Sequence, residues 1–374
     1  METILHEKNA QFRKATGVDK FHAPGYYGER TIAATGETWA LADYNPDGLV
    51  CSPMIDDEYS ADHAVKTAAT FFQVAPKARL AMFSLNGEKH SAGGYESPFM
   101  EQAWDIIRDM GITAMFVSKT GSNKGKGYKE DWSREMQALP NFCCCFSAGN
   151  DGEGRRGTML TVPEIYGAGG FIIEHGDLQV APQSGSSDTK YDVDFCGPYR
   201  VYFSLRDVEY PALVSGTSFA APWLAGMICL VNDFFIDKTG KPLTREKMTQ
   251  FLIDCCVDIE SDGMDKRSGY GVPCLPDPDD IDIVRYAGEI SEPEEPEQPE
   301  NPDEPEKEGN VVVTYKTLKD VPAWYRPTIE KLMEQGALKG TDEGEADTLE
   351  DNVIDVDETY CRVMTTLDRL GVLR

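Results

Sequence analysis

Ser218 sits in the stretch VSGTSFAAPWLAG (214–226), behind Gly216 and Thr217 and ahead of small residues and a proline. This composition suits a nucleophile at the start of a closely packed helix. A serine hydroxyl is a weak nucleophile, so it needs a base within hydrogen-bond reach and a third group to orient that base. The negative oxygen that develops on the attacked carbonyl needs hydrogen-bond donors. Five histidines are available as base: His6, His22, His63, His90 and His175. An apolar run ending in FSAGNDG (146–152) places Asn150 on a turn, and acidic candidates stand at Glu37 and Asp43.

The elements that must position these residues are legible as apolar patterns. RLAMFSL (79–85), ITAMFVS (112–118) and NFCCCFSAGN (141–150) read as buried strands. PFMEQAWDIIRDMG (98–111) and SFAAPWLAGMICLVNDFF (218–235) read as helices. Such alternation predicts a mostly parallel sheet covered on both faces.

GTSFAAP (216–222) resembles the serine signature of the subtilisin family, which makes Ser218 the expected nucleophile. FSAGNDG resembles that family's AAGN turn, whose asparagine side chain donates to the oxyanion. Asn150 therefore matches the oxyanion residue, together with the amide of Ser218. DHAVKTAATFFQVAPKARLAMFSL (62–85) resembles the family's histidine helix HGTxVA, the GVAPxAxL segment and the strand after it. This resemblance selects His63 as general base. Ala64 and Val65 stand where the family has glycine and threonine, and the glycine site borders the substrate cleft. GYYGERTIAATGETW (25–39) aligns with the family's first strand and places Glu37 on its acidic residue. A second strand candidate, WALAD (39–43), ends instead in Asp43. Glu37 is favoured and Asp43 stays open as the alternative acid. Either gives the order acid, His, Ser. FVSKTG (116–121) occupies the place of the cleft-lining strand that pairs with an extended peptide, so Ser118, Lys119, Thr120 and Gly121 are expected to border the substrate. SGYGVP (268–273) resembles the closing YGxG turn.

Charge bounds the partners. The 374 residues carry 64 acidic against 36 basic side chains, a formal net charge of −28, and 41% are apolar. A balance this acidic disfavours nucleic acid and anionic membrane surfaces. No continuous apolar stretch of about 18–20 residues is evident that would span a membrane. The segment METILHEKNAQFRKATG lacks the apolar core of a secretory signal. Synthesis in the cytoplasm is therefore expected, with release by lysis or a phage association. The ten cysteines form no C-x-x-C pair, and they read as reduced, buried thiols.

Composition divides the chain into a catalytic domain over 1–288, an acidic proline-rich linker over 289–309 and a small module over 310–374. Prolines 293, 296, 299, 302 and 305 recur every third residue among glutamates. That period matches a stiff polyproline II spacer of about 3.1 Å per residue. In the module, Ile329, Leu332 and Met333 mark one amphipathic helix, while Val363, Thr366, Leu367 and Leu370 mark a second. LKDVPAWYRPTIEKLMEQGALKG resembles the S-layer homology motif, which points to a cell-wall polymer as partner.

The expected fold is α/β, a subtilisin-like three-layer architecture with a mostly parallel central sheet plus a small C-terminal helical domain. The expected function is a serine endopeptidase acting on protein or peptide substrates. The chemistry requires no cofactor. Calcium stabilises many members of the family, so structural calcium is an expectation to which no loop assigns ligands. A rival reading keeps the fold without the activity, as a pseudoprotease serving as a binding or scaffold protein, tethered to cell wall.

Overall fold

The computed structural model describes residues 7–37, 39, 46, 48–51, 61–83, 98–118, 126–152, 158–185, 193–203, 212–288, 314–317, 321, 326–334 and 353–357. Asp43, Lys119, Thr120, Gly121, the linker 289–309 and the second expected helix, with Val363 to Leu370, lie outside the described residues. The chain divides into two compact units, Met1–Glu292 and Pro293–Arg374.

The first unit opens with two short helices, α1 (Ala10–Ala15) and α2 (Val18–His22), before β1 (Ile32–Thr35) and β2 (Leu49–Cys51). Next come α3 (Ala61–Phe72), β3 (Arg79–Met82), α4 (Pro98–Asp109), β4 (Ala114–Val117), α5 (Lys126–Ala138) and β5 (Cys143–Ser147). The strands β6 (Ile165–Glu174), β7 (Asp177–Val180), β8 (Phe195–Pro198), β9 (Arg200–Phe203) and β10 (Ala212–Ser215) precede the long helix α6 (Thr217–Thr239). α7 (Arg245–Asp254), β11 (Cys256–Val257), β12 (Val272–Pro273) and α8 (Ile283–Ala287) complete it.

Eight strands form one sheet in the order β2-β3-β1-β4-β5-β6-β7, with β8 also on β6. Every pairing is parallel except β6 with β7. Strand order reverses between β1 and β4, and in such sheets the crevice beyond the carboxyl ends of the strands at that reversal is where ligands bind. Glu37 lies just past the end of β1, and Ser118 is the residue after β4.

Both sheet faces are covered, which is why the strands are apolar throughout and do not alternate. All five residues of β5 are buried. Phe146 packs edge-on against Trp132 of α5 at 5.4 Å, and Trp104 of α4 meets Trp132 at 4.9 Å. Cys145 points to the opposite face, where α6 runs along β4, β5, β6 and β8 beside α3. Cys143, Cys144, Cys145, Cys196, Cys229, Cys255, Cys256 and Cys274 are free thiols, and burial pushes the Cys143 thiol up to about 12. A thiol so protonated is a packing group.

By length and composition α6 could cross a membrane, which corrects the expectation that no stretch is apolar enough. Its apolar character has another cause, because it is buried nearly end to end within the domain. Gly226 permits the close approach to α3: a Cβ there would lie 2.7 Å from the Val74 side chain.

Polar residues on α6 are buried too: Thr217, Asn232 and Asp233. Asp233 accepts from the backbone N–H groups of Gly28, Glu29 and Arg30 at 2.8, 3.2 and 3.1 Å, and from the Arg30 guanidinium at 3.0 Å. It holds the turn that launches β1, the strand leading to Glu37.

The second unit holds α9 (Arg326–Glu334), with Ile329 and Leu332 buried and Met333 half-buried as its spacing predicts. It also contains an antiparallel pair, β13 (Thr314–Thr317) with β14 (Val353–Asp357), which a purely helical reading did not anticipate. The alternation in VIDVD and its β-branched residues account for the strand.

Asp233→Ala should lower the unfolding free energy by about 1–3 kcal/mol, because it strands the buried Gly28 N–H and removes the acceptor of the Glu29 and Arg30 N–H groups. Urea denaturation measures this, and an unchanged midpoint would refute the structural role of the cluster.

Candidate active site

His63 lies in the first turn of α3, and its Nδ1 is 3.0 Å from Glu37 Oε1 and 3.1 Å from Oε2. The carboxylate is a pure acceptor, so the facing nitrogen carries the proton and Nε2 is left as the basic atom. Glu37 is buried at 4% exposure, whereas the imidazole is 35% exposed. The acid is thus shielded while the ring keeps one edge open. The Thr67 hydroxyl, one helical turn beyond His63, lies 3.3 Å from Glu37 Oε2. Sequence reading missed Thr67. The signal was its i, i+4 relation to His63, which places both on one helix face.

The imidazole stands beside the first turn of α6, with its ring centroid 6.2 Å from that of Phe219. Ser218, the preceding residue, is second in α6. The backbone N–H groups of that first turn have no acceptor within their own helix and carry the positive end of the helix dipole. Gly216 caps the helix at φ 141°, a conformation L side chains rarely adopt, which explains glycine before Thr-Ser.

Asn150 is exposed on the loop after β5. Its Oδ1 accepts from the Thr217 backbone N–H at 2.9 Å. Only an oxygen can face that donor, so the amide orientation is fixed and Nδ2 remains as a donor for another group. Thr217 also binds the loop through its hydroxyl, 3.0 Å from the Gly149 N–H and 3.1 Å from the Gly149 carbonyl. Thr217 therefore fastens the Asn150 turn to the start of α6.

Ser118 and Ser218 exchange hydrogen bonds. Ser118 Oγ donates to the Ser218 carbonyl at 2.7 Å, and Ser218 Oγ donates to the Ser118 carbonyl at 3.2 Å. The first bond follows from the sequence of α6. Pro222 lies within the helix, four residues after Ser218, and has no N–H to donate back to the Ser218 carbonyl. The Ser118 hydroxyl supplies the missing donor. The second bond directs the Ser218 hydroxyl to the Ser118 carbonyl.

The other described histidines lie in different environments. His22 bonds the Val74 carbonyl at 2.7 Å from a buried position on α2, and His175 occupies the β6–β7 turn with φ 53°. His6 and His90 lie outside the described residues. Among the described residues no group of three or more His, Cys, Asp or Glu side chains gathers to hold a metal ion.

The chain is similar to known proteases. It is 25% identical over 255 residues to the major intracellular serine protease of Bacillus subtilis (strain 168), covering 66% of this chain and 73% of that protein. It is 26% identical over 200 residues to the minor extracellular protease Epr of the same organism, covering 53% of this chain but only 28% of that longer protein. Among solved structures, a lanthipeptide protease superposes with a TM-score of 0.58 at 15% identity, covering 71% of this chain and 93% of its own. Fervidolysin from Fervidobacterium pennivorans, a keratinolytic enzyme related to subtilisin, gives 0.52 at 17% identity, covering 68% and 44%. No family model matches the chain.

Ser118→Ala should destabilise the protein by about 1–3 kcal/mol by stranding the Ser218 carbonyl. The loss should shrink in a Pro222→Ala background, where residue 222 regains its N–H. Equal losses in both backgrounds, measured by chemical denaturation, would show that Ser118 does not substitute for that donor.

Proposed function

We propose that this chain, a homologue of the subtilisin-like serine proteases with their α/β fold, is a serine endopeptidase whose reacting groups are Ser218, His63, Glu37 and Asn150. The observation that carries the reading is the His63–Glu37 pair at 3.0 Å beside the first turn of α6. One of its relatives is named a serine protease and the other a protease.

On this reading an extended peptide enters the crevice beyond β1 and β4, with its scissile carbonyl above Ser218. The Ser218 hydroxyl leaves the Ser118 carbonyl and gives its proton to His63 Nε2 as Oγ bonds the carbonyl carbon. Glu37 holds the Nδ1–H and stabilises the imidazolium. The carbonyl oxygen, now negative, accepts from Asn150 Nδ2 and the Ser218 amide. His63 then protonates the leaving amine, and water, deprotonated by the same histidine, releases the acyl group. Glutamate in place of aspartate adds one methylene. The Glu37 N–H donates to Thr35 Oγ1 at 3.3 Å, which holds the backbone turn from which the longer side chain reaches His63.

The second unit is proposed to bind cell-wall polymer, from the S-layer-like pattern around α9. Full-length protein should then be retained on purified cell wall and a chain ending at residue 288 should not; equal behaviour of the two would remove the proposal.

A fluorophosphonate probe tests the enzyme reading. Wild type should be labelled, and Ser218→Ala and His63→Ala should not. A folded wild type that takes no label would instead support the non-catalytic scaffold. Asn150→Ala should lower turnover of a peptide substrate about 10²–10³-fold. Glu37→Gln should lower it about 10⁴-fold, with Asp43→Asn near wild type; the reverse ranking would reassign the acid.

A further inference from the structure

Glu37 presents both carboxylate oxygens to one imidazole N–H, at 3.0 and 3.1 Å. A single proton facing two nearly equivalent acceptors does not by itself fix the carboxylate plane. A glutamate also has one more rotatable bond than an aspartate with which to turn. Something must hold the group if His63 is to keep one orientation.

The Thr67 hydroxyl is placed to do so. Thr67 is fully buried on α3, and its Oγ1 lies 3.3 Å from Glu37 Oε2 and 2.9 Å from the Ala64 carbonyl on its own helix. The hydroxyl has one proton to divide between these acceptors. The Ala64 carbonyl is a neutral acceptor whose usual donor is the backbone N–H four residues on. Glu37 Oε2 carries charge in a buried site, where a charge-assisted bond is stronger than a neutral one. The charge on Glu37 therefore offsets its longer contact, and the hydroxyl bridges the carboxylate and the Ala64 carbonyl.

His63 and Thr67, four residues apart, share a face of α3, so one rigid helix grips Glu37 at two points. The imidazole N–H meets the carboxylate edge and the hydroxyl meets Oε2. Rotation of the carboxylate would break the second contact, and tilting of the imidazole would break the first. Valine would fill the same volume without the hydroxyl, so the position separates a packing role from a hydrogen-bonding one.

We propose that Thr67 is a positioning residue that locks the Glu37 carboxylate by a hydrogen bond to Oε2, so that the acid holds His63 in its working orientation. The role rests on the proposed protease reading and goes beyond it by naming how a glutamate serves in that place.

The test compares wild type, Thr67→Val and Thr67→Ser in the full chain. One readout is fluorophosphonate labelling resolved into a maximal rate and a half-saturating concentration. The other is the proton resonance of the His63 Nδ1–H. Thr67→Val should slow the maximal labelling rate about 3–10-fold, the scale of one hydrogen bond, without changing half-saturation. Its Nδ1–H resonance should broaden through faster exchange with solvent. Thr67→Ser should restore both. In a Glu37→Gln background the Val substitution should have little further effect. The role is overturned if Val behaves as wild type, if Ser is as slow as Val, or if the loss persists undiminished beside Glu37→Gln. A wild type that takes no label would defeat the protease reading itself. The Nδ1–H resonance would still decide whether Thr67 positions the pair.

Discussion

The hydrogen-bonded seam between the start of α6 and the loops leaving β4 and β5 is the constraint on which the site depends. Pro222 leaves the Ser218 carbonyl without its helical donor, and Ser118 supplies one at 2.7 Å. Thr217 pins the Gly149–Asn150 turn through its backbone and its hydroxyl. These contacts fix Ser218, Ser118 and Asn150 relative to one another. Preorganisation of this kind is what makes donors effective toward a developing charge, since little reorganisation is needed during reaction.

The helix itself can sit there because most of its length is apolar and small residues mark its points of close approach. Gly226 lets α6 approach Val74, and Ala220, Ala221 and Ala225 are fully buried. Asp233 is the buried charge on the helix, and its oxygens gather the backbone of residues 28–30 ahead of β1. One helix thus anchors Ser218 at its first turn and, further along, the strand that leads to Glu37. A shift of α6 would be felt at Ser218 and at Glu37 together.

Much of the α/β framework was legible because both its strands and its helices are marked by apolar pattern. The runs at 79–85, 112–118 and 141–150 contain β3, β4 and β5, and α4 and α6 fall where amphipathic and apolar stretches place them. Less legible were β6 to β10: GAGG interrupts the apolar pattern of β6, and β8 pairs with β6 across the intervening strand β7, Ala168 facing Phe195. The β13–β14 pair was missed for a similar reason, as its strands are joined across a helix and a long intervening segment. The apolar character of α6 did not by itself separate a core helix from a membrane span; only its burial does.

By itself the sequence determined the local pieces of the site: a glycine-capped serine at a helix start, an asparagine turn after a strand, and a histidine at the head of a helix. These are written in residue types because each demands a particular backbone conformation or close packing. Tertiary structure alone decided which groups meet. Glu37 faces His63 across 26 residues of chain, Thr67 reaches Glu37 across 30, and Ser118 and Ser218 exchange bonds across 100. No local propensity encodes such contacts, which arise only when a parallel sheet brings the ends of β1, β4 and β5 to one edge and packs α3 and α6 against it.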